Sequence, residues 1–134
     1  MKKLLYKKRA TTGFTLIELL VVATIIIVLT TIGVVSYRNA SIRSRDSKRK
    51  ADLETVRQAL VLYRSEAGIY PSDNGYFAGM VSELQNEGYL SGGSELFQDP
   101  SGGVYIYNCI SGCAGFTLSA TLEGSETPYE LRNP

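Results

Sequence analysis

Thr12-Gly13-Phe14-Thr15-Leu16-Ile17-Glu18 joins a basic leader to a long apolar run, and it decides how the rest of the chain is read. From Phe14 to Val35 there are 22 residues, apolar or small apart from a few threonines and Glu18. That length suits a membrane-spanning helix, which needs about 20 apolar residues. Glu18 carries the only charge in the span. A carboxylate in hydrocarbon is costly and marks a functional position, so it calls for a partner. Cutting the chain between Gly13 and Phe14 supplies one. The cut removes Lys2, Lys3, Lys7, Lys8 and Arg9 and leaves an α-ammonium on Phe14, four residues before Glu18 on the same helix face. That ammonium can pair with Glu18 of its own chain, or with Glu18 of a neighbour offset along the axis. In the second case the pair sets register, the best-attested use of a buried ion pair.

Simpler explanations fit less well. A signal anchor also joins a basic flank to an apolar span, but it gives no reason for Glu18. A secretory signal peptide has its small-residue cleavage site after the apolar region, whereas Gly13 precedes it. A buried helix of a soluble protein is seldom apolar over this length.

Lys7-Lys8-Arg9-Ala10-Thr11-Thr12-Gly13 followed by Phe14-Thr15-Leu16-Ile17-Glu18-Leu19 resembles the type III signal of type IV prepilins and type II secretion pseudopilins. The resemblance implies cleavage after Gly13 by a prepilin peptidase, N-methylation of Phe14, and an assembly ion pair between Phe14 and Glu18. It also implies an assembly platform protein, a cytoplasmic ATPase and further copies of the chain as partners. The motif is specific over residues 7–35. Beyond that the likeness is architectural.

The chain has 134 residues, enough for one modest domain after the leader and span. Its net charge of +1 hides an asymmetry, since the leader holds five of 14 basic residues and none of the 13 acidic ones. The processed chain is therefore expected to be mildly acidic, and bulk charge predicts no nucleic-acid affinity. No histidine occurs, which removes the commonest general base and metal ligand. Cys109 and Cys113 cannot build a four-thiolate zinc site. A short-loop disulfide in an oxidising compartment is the preferred expectation over free thiols, and it places the C-terminal domain outside the cytoplasm. Charge alone leaves topology open, because Arg38, Arg43, Arg45, Lys48, Arg49 and Lys50 match the leader across the span. The cysteines and the prepilin resemblance favour the leader inside and the head outside.

Four segments are expected: a basic leader over 1–13, a membrane and filament-core helix over 14–35, an amphipathic continuation over 36–67, and an extracytoplasmic head over 68–134. Between Ser36 and Ala67 there is neither proline nor glycine, and Leu53, Val56, Leu60, Tyr63 and Ala67 form an apolar stripe. Asp46 with Lys50, and Lys50 with Glu54, are expected to pair at four-residue spacing. Gly68 and Pro71 supply the stop. The predicted helix from Phe14 to Ala67 spans about 80 Å at 1.5 Å per residue, with Gly33 its weakest point. Many type IV pilins have a proline near the position of Val35; this chain has none, so no break is expected there.

Residues 70–76 read as a turn-rich connector and Ala78–Glu87 as a short helix. Alternation predicts strands at Val104–Asn108 and Phe116–Glu123, with the cysteines in a hairpin loop between them, and a weak strand near Tyr129–Leu131. A head of this size buries too little surface alone and must borrow the stripe at Leu53, Val56, Leu60 and Tyr63. The expected fold is thus α+β, a long helix carrying a small antiparallel sheet, as in pilins. Asp99-Pro100 with Gly102-Gly103-Val104-Tyr105 resembles the segment leading into the sheet of the major pseudopilin. That family has an acidic calcium loop near its C-terminus. Glu123 to Glu130 has carboxylates without the matching loop, so no metal or other cofactor is expected.

The basic run Arg38–Lys50 fits a solvated, headgroup-level helix better than a DNA or acidic-lipid site. Tyr70, Tyr76, Tyr105 and Tyr107 fit half-buried packing better than a ligand platform. Asn39-Ala40-Ser41 is a chance glycosylation triplet beside the membrane. Ser72, Asp73 and Asn74 have no basic partner, and no catalytic constellation emerges. The expected function is structural, as a subunit of a type IV pilus or type II secretion pseudopilus. The alternatives are a minor pilin or competence pseudopilin in DNA uptake, and a signal-anchored surface binding domain that never polymerises.

Overall fold

A computed structural model describes residues 13–72 and 76–133. The basic leader up to Thr12 and residues Asp73, Asn74 and Gly75 of the expected connector lie outside them. Along the chain come α1 (Leu16–Ala67), α2 (Phe77–Asn86), a single 3-10 turn (Ser94–Phe97), β1 (Ile106–Ile110), β2 (Gly115–Ala120) and β3 (Tyr129–Arg132). The architecture is α+β, a long helix packed against a small antiparallel sheet. The chain divides into two compact units, one ending at Arg38 and the other beginning at Asn39.

In the first unit every described residue is exposed. A lone apolar helix has nothing to bury against, and this one is long and apolar enough to cross a membrane. Its threonines do not break it. Thr24 donates its hydroxyl to the Val21 carbonyl, Thr30 to Ile26 and Ile27, and Thr31 to Val28, so each polar group is satisfied within its own helix. The helix continues through Gly33.

The second unit holds the core. Leu53, Val56 and Leu60 of α1 are fully buried, each worth about 1.5–3 kcal/mol against an exposed position. They meet Met80, Val81 and Leu84 of α2 and the inward side chains Tyr107, Phe116, Leu118 and Ala120 of the sheet. The stripe is shorter than expected, since Tyr63 is half-buried and Ala67 exposed. Gly68 then closes α1 at φ 82°, donating its N–H to the Arg64 carbonyl at 2.8 Å. A left-handed residue here is almost free of strain only as glycine.

The sheet runs β1-β2-β3, antiparallel throughout, with Tyr107 opposite Leu118 and Leu118 opposite Leu131. β1 and β2 are joined through Ser111 to Ala114, and Cys109 and Cys113 are joined as a disulfide there. Cys109 itself belongs to β1, not to the loop in which it was expected. Strand β2 stops at Ala120, three residues before the expected end at Glu123. The reason is the charge of Glu123, which turns back to α1 as described below.

Three tyrosines pack more deeply than the half-burial expected. Tyr70, Tyr105 and Tyr107 are buried, with Tyr70 edge-to-face on Phe116 and Tyr105 on Phe77. Tyr76 departs from this, being 74% exposed.

Candidate functional site

Two polar centres stand out, one at the start of α1 and one within the second unit. At the first, Gly13, Phe14 and Thr15 precede the helix in exposed, irregular backbone, and α1 begins at Leu16. Thr15 caps the helix. Its backbone N–H and its hydroxyl both donate to Glu18 Oε2 at 2.8 Å, while the Glu18 N–H donates to the Thr15 hydroxyl at 3.3 Å. This is a capping box, which satisfies otherwise orphaned donors of a helix start. Phe14 and Glu18 border the same shallow groove, together with Ile17, Val21 and Val22. Glu18 therefore has a local partner before any amine is exposed beside it. Its signal in the sequence is the pattern Thr15-x-x-Glu18.

The second centre was not foreseen. Arg49 is only 2% exposed and sits amid four acceptors from three separate segments. Its Nε donates to Asp99 Oδ2 at 2.6 Å, and its other nitrogens reach Asp46, Glu123 and the Ser101 hydroxyl. Asp46 also accepts the N–H groups of Glu123 and Gly124, both at 2.9 Å. Arg45 forms a second, outer pair with Glu123. A buried guanidinium survives only with such saturation, because its desolvation must be matched by hydrogen-bonded charge.

Electrostatics follow the geometry. Arg49 and the turn at Ser101 hold Asp99 well below the usual carboxylate range, against the opposing effect of burial. Arg45 and Arg49 bring Glu123 down to about 2. For Asp46 burial pushes upward, but the N–H groups of Glu123 and Gly124 and the Arg49 charge outweigh it, and its pKa falls.

This centre corrects two expectations. The run Arg38–Lys50 is not a uniformly solvated basic face, since Arg49 is buried and Arg45 half-buried and paired. Nor do Asp46 and Glu54 pair with Lys50. Asp46 turns inward to Arg49, Glu54 pairs with Arg57, and the Lys50 ammonium lies 5.4 Å from the centre of the Tyr129 ring. The partners Asp99 and Glu123 lie 50 and 74 residues away along the chain, beyond the reach of local spacing.

Among the described residues no group of three or more histidine, cysteine, aspartate or glutamate side chains is placed to hold a metal ion. The three carboxylates around Arg49 already have a cation. What that centre does is mechanical: it fastens the 99–103 and 121–124 segments to α1.

Residues 8–34 match the family described as the prokaryotic N-terminal methylation motif. The chain carries a prepilin-type N-terminus. It is also similar to the type II secretion system core protein G of Vibrio cholerae serotype O1, with 29% identity over 106 residues, covering 75% of this chain and 73% of that protein. No solved structure matches significantly. The prepilin-type motif covers Gly13, Phe14, Thr15 and Glu18, while the similarity to core protein G covers most of the chain. Together they support a pilin or pseudopilin subunit.

Proposed function

We propose that this chain is a structural subunit of a type II secretion pseudopilus or a type IV pilus, acting by assembly and not by catalysis. The observation that carries this is a helix start whose only charge, Glu18, follows Gly13-Phe14 at the head of a wholly exposed apolar segment. In the membrane, lipid covers residues 14–35. A prepilin peptidase cuts after Gly13 and the new N-terminus of Phe14 is methylated. The methylated amine remains cationic and pairs with Glu18 of an adjacent copy, while the apolar helices replace lipid with one another as they enter the filament.

An assembly platform protein and a cytoplasmic ATPase drive extraction. The head, residues 68–134, faces outside the cytoplasm and forms the filament surface, where the Cys109–Cys113 disulfide is stable. Before assembly the chain is a single-pass protein of the cytoplasmic membrane.

Intact mass of the assembled protein tests processing: a chain beginning at methylated Phe14 is expected, and one still beginning at Met1 refutes it. Glu18→Ala tests assembly. It should abolish incorporation into filaments, whereas a signal-anchored binding domain would tolerate it.

A further inference from the structure

We propose that the Cys109–Cys113 bridge is a redox-sensitive clasp. Closed, it docks the segment that follows α1 onto the β1–β2 turn; opened by a dithiol, it releases that segment and leaves the sheet paired.

The turn holds a backbone that its residues do not favour. Ser111, Gly112 and Cys113 are all left-handed, at φ 53°, 65° and 66°. Among the described residues, Ser111 and Cys113 are the only non-glycine residues with positive φ. Left-handed residues normally occur singly, because each Cβ crowds the carbonyl oxygen that follows it. Only Gly112 takes up this conformation without penalty. Three in a row need a tether, and the bridge closes directly around them.

What the tether positions is a carbonyl. The Cys113 C=O accepts the N–H of Tyr70 at 2.9 Å. Tyr70 is only 1% exposed, so this bond satisfies a donor that has little access to water. If the turn relaxes and the carbonyl swings away, the donor is satisfied again only when the segment lifts into solvent. The Tyr107 hydroxyl, which donates to the Pro71 carbonyl at 2.6 Å, then holds that segment by a side chain alone. The sheet differs. β1 and β2 pair from Ile106–Ser119 to Ile110–Gly115, and Tyr107, Phe116 and Leu118 are buried beneath them, so their pairing does not need the bridge.

Cys109 is half-buried and Cys113 buried, so a reductant reaches the Cys109 sulfur first. A thiolate of the dithiol bonds to Cys109 Sγ, the Cys109–Cys113 bond breaks, and Cys113 leaves as a thiolate that takes up a proton. The second thiol of the reductant then displaces Cys109, which is protonated in turn. The bridge gains two electrons and two protons, and the dithiol is oxidised to its own disulfide.

The test is residue-resolved amide hydrogen exchange on the full chain in detergent, with and without dithiothreitol. Reduction should speed exchange at Tyr70 about tenfold more than at the β1–β2 ladder amides, the scale set by one non-glycine left-handed residue. Equal acceleration at both makes the bridge a general stabiliser and overturns the proposal. So does unchanged Tyr70 exchange, or a bridge that stays closed in the folded chain under excess dithiothreitol. Two variants without the bridge test the backbone argument. Cys109→Ser with Cys113→Ser should reproduce the reduced state, with dithiothreitol then having no effect. Cys109→Ser with Cys113→Gly should recover part of the Tyr70 protection, because glycine accepts φ 66° freely. Equal Tyr70 exchange in the two variants overturns the claim that the bridge acts by holding a left-handed turn. The ladder amides report in every sample whether the head is folded.

Discussion

Glu18 and Arg49 are both charges in unusual places, and each is made tolerable in a different way. Glu18 is held by the first turn of its own helix, through Thr15. Because a capping box accepts glutamine as well as glutamate, Glu18→Gln separates two roles. If Glu18 acts through its charge, the glutamine variant should insert and remain helical by circular dichroism yet fail to assemble; normal assembly would reduce Glu18 to a cap. Arg49 is held by Asp46, Asp99 and Glu123. Arg49→Met leaves three carboxylates facing one another, and losing one partner of a buried ion network costs about 3–5 kcal/mol. Urea unfolding of the full chain in detergent should show that loss. A change of less than about 0.5 kcal/mol, as at ordinary surface sites, would mean the network does little for stability.

The elements of the head are small, and their stability comes from how they are joined. The sheet has three short strands, and a lone hairpin is marginal in water. Three links secure it: burial against Leu53, Val56 and Leu60, the Arg49 centre, and the Cys109–Cys113 bridge. The bridge spans a sequence separation of only 4, so it removes little chain entropy from the unfolded state. Replacing both cysteines with serine should cost about 2 kcal/mol, less than a bridge closing a long loop. Comparing thermal unfolding of the variant with the wild type measures this. The β1–β2 pairing should persist, because Tyr107, Phe116 and Leu118 remain buried.

At the scale of the whole molecule, the fastening of the head to α1 is sensitive to acid. Asp99, Glu123 and Asp46 all have pKa values below those of free carboxylates. Groups depressed in the folded state stabilise it fully above their unfolded values, near 4, and lose that contribution as pH falls toward the folded values. The melting temperature of the full chain should be flat above about pH 5 and fall steadily toward pH 2. In Arg49→Met the fall should be shallower, because Asp99 and Asp46 lose the cation that helps hold their folded values down, while Glu123 keeps Arg45. Much of this protein was legible from its residues. The period of Leu53, Val56 and Leu60, the stop at Gly68, α2, and the sequence order of the three strands all follow from local pattern. So does the prepilin-type N-terminus, whose features lie within a few residues of one another. The Thr15-x-x-Glu18 cap is just as local, a four-residue pattern. What the sequence could not show was which of the cations after Val35 are buried and which stay exposed. Arg43, Arg45, Arg49 and Lys50 look alike along the chain, and only the folding of the 99–103 and 121–124 segments onto α1 brings carboxylates to two of them and leaves the others exposed. Local spacing determines helices, strands and caps because their bonds are short-range, whereas the pairing of buried charge is settled by segments that meet only when the core closes.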